Sequence, residues 1–251
     1  MSRAVEAALR RHRAVSLIAL AALAALAWAW LLAGAGMDMA AMGMNPEQAW
    51  SQRFATSLAM WWTMMVAMMV PAAAPTVLLY VRAAAHGGAR PAAAAFVAGY
   101  LLVWGIFSVL AASLQLALER ARLVAEATMA LDPRWSVAAV LLAAGAYQLS
   151  PLKDACLTRC RNPAAFIARH YRPGPQGALR MGLIHGAWCV GCCWLLMALL
   201  LVGGVMNLAW IAALSLLVAA EKLLPFGRWV ALGTGLLCLA AGLLVAFGAL
   251  R

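Results

Sequence analysis

Apolar residues run along this chain in blocks of bilayer length, separated by short polar or basic stretches. Seven blocks reach or approach the roughly 20 residues that a helix needs to cross a hydrocarbon core. They are 14–35, 57–80, 92–117, 135–150, 180–202, 207–221 and 228–249. This pattern predicts an all-α fold, a polytopic transmembrane helix bundle of about seven spans, or six if one of the two short blocks (135–150 and 207–221) does not cross. The first block follows Arg10, Arg11, His12 and Arg13 and is longer than the apolar region of a signal peptide, so it reads as a retained first span. Between the fourth and fifth blocks lies the polar segment 151–179. Ser150 followed by Pro151 is a helix-start signal, a capping hydroxyl ahead of a proline at the first helical position. Cys156 and Cys160, four apart, then share one face of a short helix at the membrane surface. The turn-rich stretch 172–177 breaks the chain before the fifth span. No internal repeat and no separate soluble domain is visible, so 1–251 reads as one integral membrane domain.

Composition agrees with this pattern. Of the 251 residues, 67% are hydrophobic and 11% charged, against roughly 25% charged in a soluble domain. The net charge of +11 first suggests an acidic partner, but its placement gives another reading. With the N-terminus inside, the inner loops hold Arg3, Arg10, Arg11, Arg13, Arg82, Arg90, Lys153, Arg159, Arg161, Arg169, Arg172, Arg180, Lys222 and Arg228. The outer loops hold Arg53, Arg120, Arg122, Arg134 and Arg251, so the count is fourteen against five. Basic residues gather in cytoplasmic loops, which predicts an N-in orientation and a lipid bilayer, not nucleic acid, as the partner. Segment 151–179 is then a cytoplasmic loop carrying Cys156 and Cys160. Cys189, Cys192 and Cys193 sit in the inner half of the fifth span, on the same side. Met37, Met39, Met42 and Met44 lie outside.

The chemistry is concentrated in sulfur. Cys189, Cys192 and Cys193 are spaced i, i+3, i+4 and share a helix face, with His185 one turn earlier. Three thiols in five positions suit a soft metal or reversible thiol redox better than packing alone. Cys156 and Cys160 form a second pair, with Arg159 and Arg161 adding positive charge that favours thiolate. In the second span, Met60, Met64 and Met68 form one stripe and Met65 and Met69 another. Thioethers select Cu(I), although methionine also fills irregular cores well. Met37 to Met44, in a loop with no core to fill, suggest an outer capture site. Methionine is a poor zinc ligand, so copper is favoured over zinc.

Several classes lack their motifs. There is no G-x-x-x-x-G-K-[ST], H-E-x-x-H or G-x-S-x-G, and no phosphorylation sequence of a P-type pump. Glu221 beside Lys222 reads as a local interfacial charge pair, and no intramembrane ionisable relay stands out. His12, His86 and His170 read as solvated loop residues. No catalytic residue emerges.

Three motifs carry a family resemblance: residues 60–71 with Met65, Met68 and Met69; residues 147–160 with Cys156 and Cys160; and residues 186–197 with Cys189, Cys192 and Cys193. Together they resemble the bacterial family of predicted metal-binding integral membrane proteins, a domain of unknown function also labelled copper chaperone. The resemblance covers roughly residues 50–245. It implies a multi-pass protein of the bacterial inner membrane. The resulting expectation is Cu(I) binding by Cys156, Cys160, Cys189, Cys192, Cys193 and His185, with Met65, Met68 and Met69 as a membrane relay and Met37, Met39, Met42 and Met44 as outer ligands. The metal would pass to a metal-accepting protein partner or across the membrane. The rivals are a membrane thiol–disulfide oxidoreductase using Cys189 and Cys192, and a non-metal anchor subunit whose cysteines only pack.

Overall fold

The computed structural model describes residues 3–34, 50–87, 91–125 and 128–249. Met37, Met39, Met42 and Met44 lie outside the described residues. Among the described residues, ten helices follow in chain order: α1 (Arg3–Leu32), α2 (Trp50–His86), α3 (Ala93–Arg120), α4 (Arg134–Gln148), α5 (Pro151–Arg161), α6 (Pro163–His170), α7 (Gly174–Ala198), α8 (Leu200–Gly203), α9 (Leu208–Leu223) and α10 (Gly227–Ala246). Among the described residues the one β-type contact is an isolated bridge between Val124 and Leu131.

Among the described residues, five helical stretches are long and apolar enough to cross a membrane: Arg10–Leu32, Trp50–His86, Ala93–Arg120, Gly174–Gly203 and Gly227–Ala246. A sixth arises if α4 and α5, bent by 63° at their junction, form one broken span. The bend falls at Ser150 and Pro151, where the Ser150 hydroxyl accepts from the Lys153 amide and starts a new helix. α9 has 16 residues, shorter than a typical crossing. Asn207 caps its start, and Pro225 follows its end, where a helix cannot readily continue. The predicted block 207–221 is therefore helical but short.

α2 is the central element. Every residue from Met64 to Val70 is buried, as expected of a helix that is apolar all round. α1, α3, α6 and α9 pack around it. Other helices turn apolar stripes outward: Leu102, Ile106, Leu110 and Leu114 on α3 are each more than half exposed. Such stripes suit a hydrocarbon solvent.

The tightest pairing joins α3 to α7. A Cβ at Gly182 would collide with the Phe96 carbonyl, and one at Gly99 with the Leu179 carbonyl. Small residues let the two backbones meet, the usual device where helix association cannot draw on the hydrophobic effect. The contact also sets the rotation of α7 and so aims its cysteine face inward. Gly182→Ala is expected to destabilise the protein by about 1–3 kcal/mol through overpacking, read as a lower melting temperature in detergent. Gly233→Ala, where nothing lies within 4 Å of the added carbon, should leave melting unchanged or raise it. Equal melting of the two variants would contradict the close α3–α7 contact.

Candidate metal centre

The three cysteines of α7 lie near the middle of the Gly174–Gly203 stretch and all point into the bundle. Cys189, Cys192 and Cys193 are buried. The Cys192 and Cys193 thiols donate to the Cys189 carbonyl at 3.1 and 3.0 Å, bonding back along their own helix. The segment read as a loop, 151–179, is largely helical, made of α5, α6 and the start of α7, and α5 packs across α7. Its approach needs Gly191: a Cβ there would lie 3.1 Å from the Cys156 sulfur. The Tyr147 hydroxyl donates to the Gly191 carbonyl and fastens the same spot. Further along α5, the Cys160 thiol makes side-chain contact with both Cys189 and Cys192. The two sequence-distant cysteine groups thus converge, with Cys160 as the residue that reaches across.

Arginines help to hold α5 in place. Arg159 lies over the Trp188 ring, 4.1 Å from its centroid, a cation–π contact. Arg161 donates to the carbonyls of Leu224 and Pro225 at the α9–α10 turn. Asp154 pairs with Arg228 at 3.0 Å.

The sequence reading missed the charged member of this cluster. Lys222, buried at the end of α9, places its Nζ 2.9 Å from the Cys189 sulfur, 3.6 Å from that of Cys193 and 3.9 Å from the Met69 sulfur. Tyr100 of α3 adds a hydroxyl 3.0 Å from the Cys189 sulfur and 3.1 Å from the Met69 carbonyl oxygen. Four helices, α2, α3, α7 and α9, therefore meet on one sulfur-lined point, and α5 closes it.

Glu221 does not pair with its neighbour Lys222, which corrects the local-pair reading. Its carboxylate takes Lys153 of α5 at 2.6 Å on one oxygen and Gln148 of α4 at 2.6 Å on the other. Both partners of this ion pair are fully buried. Adjacent residues on a helix do not face each other, so each charge on α9 meets a different helix. Lys153 and Lys222, counted above with the inner loops, are enclosed by protein.

His185 is buried one turn before Cys189. Its ring stacks on Tyr100 with centroids 5.7 Å apart and is flanked by Phe166 at 5.3 Å. Its Nδ1 has no hydrogen-bond partner among the described residues, which leaves a buried imidazole nitrogen uncommitted beside the cluster. Met65, Met68 and Met69 are all buried, but only Met69 contacts the cluster through the polar contacts just described. Among the described residues, no three His, Cys, Asp or Glu side chains stand arranged around a single point as a ready ion cage. The thiols are instead occupied with the Cys189 carbonyl, with Lys222 and with one another.

These features define a class: a helical bundle of membrane-crossing length with thiols, a thioether and a lysine gathered in its interior. The chain belongs to the PpoB2 family, described as copper chaperone, whose model it matches over residues 58–245. That match takes in α3 to α9, α10 except its last residue, most of α2 and all six cysteines. No curated protein and no solved structure matches the chain.

Removing one partner of a buried ion pair strands the other charge. Lys153→Met is expected to cost about 3–5 kcal/mol, measured by chemical denaturation in micelles. Adding Glu221→Met to that variant should recover much of the loss. A double variant no more stable than the single one would show that the pair does not anchor α5 and α9.

Proposed function

We propose that this chain is a multi-pass protein of the bacterial inner membrane that holds Cu(I) as cargo in its sulfur cluster. It then hands the ion to an acceptor protein or across the bilayer. The observation that carries this reading is the convergence of Cys160 from α5 with Cys189 and Cys192 of α7 in a buried, sulfur-lined site. The chain's membership of a family described as copper chaperone supports it. Thiolate and thioether are soft ligands that suit Cu(I), and Met69 belongs to the same cluster through Lys222. The donor set therefore fits Cu(I) in kind, and loading requires Cys192 and Cys193 to turn away from the Cys189 carbonyl. In this reading Cys160, Cys189, Cys192 and Cys193 bind the ion, with Cys156 and His185 at the margin. Met65 and Met68 line its way through α2. Met37, Met39, Met42 and Met44 collect it outside, with the N-terminus inside.

Binding by thiolate releases protons, so occupancy should rise with pH. The test is metal content by plasma mass spectrometry after anaerobic loading of the reduced, detergent-purified protein with Cu(I) or Zn(II). The unmodified chain is expected to retain near-stoichiometric Cu(I) and little zinc. The triple change Cys189→Ser, Cys192→Ser and Cys193→Ser should abolish retention. An unmodified chain that keeps no metal, yet shows a Cys189–Cys192 disulfide that cycles with the redox buffer, would replace this reading with thiol–disulfide exchange.

A further inference from the structure

We infer that Lys222 is a selectivity residue, a fixed positive charge that admits singly charged soft cations to the sulfur cluster and turns away doubly charged ones. The inference rests on the metal-binding reading above and adds which ions the site accepts.

The contacts of Lys222 are unusual for a buried lysine. Its polar neighbours among the described residues are sulfurs: Cys189 at 2.9 Å, Cys193 at 3.6 Å and Met69 at 3.9 Å. The carboxylate next to it in sequence is unavailable, because both Glu221 oxygens are taken by Lys153 and Gln148 at 2.6 Å. The other acidic group of this region, Asp154, is partly exposed and pairs with Arg228. A buried charge requires a partner, and what faces the Lys222 ammonium is the set of sulfurs that would bind the cargo. Any cation held at Cys189 then lies within a few ångströms of the Lys222 ammonium.

Coulomb repulsion between that ammonium and a bound ion scales with the ion's charge, so a divalent ion is opposed twice as strongly as a monovalent one. The interior offers little screening against this. Ligand type alone does not exclude a divalent ion, since thiolates also bind zinc. Lys222 supplies that exclusion by charge, not by ligand type. It is also a buried lysine, a costly placement in a membrane protein that selectivity would explain.

The experiment compares Cu(I) and Zn(II) affinities of the purified chain by competition with chromophoric chelators, for the unmodified protein, Lys222→Leu and Lys222→Arg. Lys222→Leu removes the charge without adding a ligand atom and is expected to shift the Cu(I)-over-Zn(II) preference toward zinc by about 100-fold, the scale set by two close charges in a protein interior. Lys222→Arg keeps the charge and should keep the preference. An unchanged ratio in Lys222→Leu, or a shifted one in Lys222→Arg, would overturn the proposal. A second measurement needs no variant: Ag(I) and Cd(II) are both soft but differ in charge. The unmodified cluster should take Ag(I) and refuse Cd(II) at equal concentration, and ready uptake of Cd(II) overturns the proposal. If the unmodified chain binds none of these ions, the metal-binding reading itself falls, an outcome distinct from binding without preference.

Discussion

The architecture depends on how two opposite charges at the end of α9 are kept out of an apolar interior. Glu221 and Lys222 are neighbours in the chain and point in different directions, so neither neutralises the other. Glu221 is satisfied by α4 and α5 through Gln148 and Lys153. Lys222 is satisfied by α7, α2 and, through the shared sulfur, α3. A helix of 16 residues is thereby tied to five others. The ties are polar contacts in surroundings where an unmet polar group is costly. They fix the rotation of α9, and with it the position of the ammonium relative to the thiols.

Much of the fold was legible from the sequence because apolar block length and helix-start chemistry are local signals. The helix-start signal of Ser150 and Pro151 and the shared face of Cys189, Cys192 and Cys193 follow from spacing alone. What was not legible is what depends on two segments meeting. That Cys160 reaches Cys189 and Cys192 requires α5 to fold back under α7, and only Gly191, small where the helices touch, hinted at it. The Glu221–Lys222 pair misled for a definite reason: opposite charges in sequence suggest a local pair, whereas consecutive helix positions diverge. Two opposite charges closing an apolar block were themselves the signal that each needs a separate partner. The count of spans was limited in the same way. Block length alone does not separate a crossing from the short α9, or from a helix that bends by 63° at Ser150 and Pro151.

The sulfur atoms divide by their surroundings. The methionines of α2 are embedded in the most enclosed helix of the bundle, where a flexible thioether also serves as filler. Only Met69 is placed against the cluster by a polar contact. The thiols of α7, in contrast, meet groups that respond to charge. His185, enclosed by Phe96, Tyr100 and Phe166, stands between these settings: aromatic rings surround it, yet its Nδ1 lacks a partner.

The mounting of α5 has one more consequence. Its inner face is held by the buried Lys153–Glu221 pair, but its rim is held by Arg228 on Asp154 and by Arg161 on the turn carbonyls, with the Asp154 and Arg228 side chains 45% and 35% exposed. Exposed ion pairs weaken with ionic strength, whereas enclosed ones are screened far less. Salt therefore loosens the rim of α5 while the pair beneath it holds. Cys156 and Cys160, both carried on this helix, are the ligand candidates whose seat responds to the electrolyte around the protein.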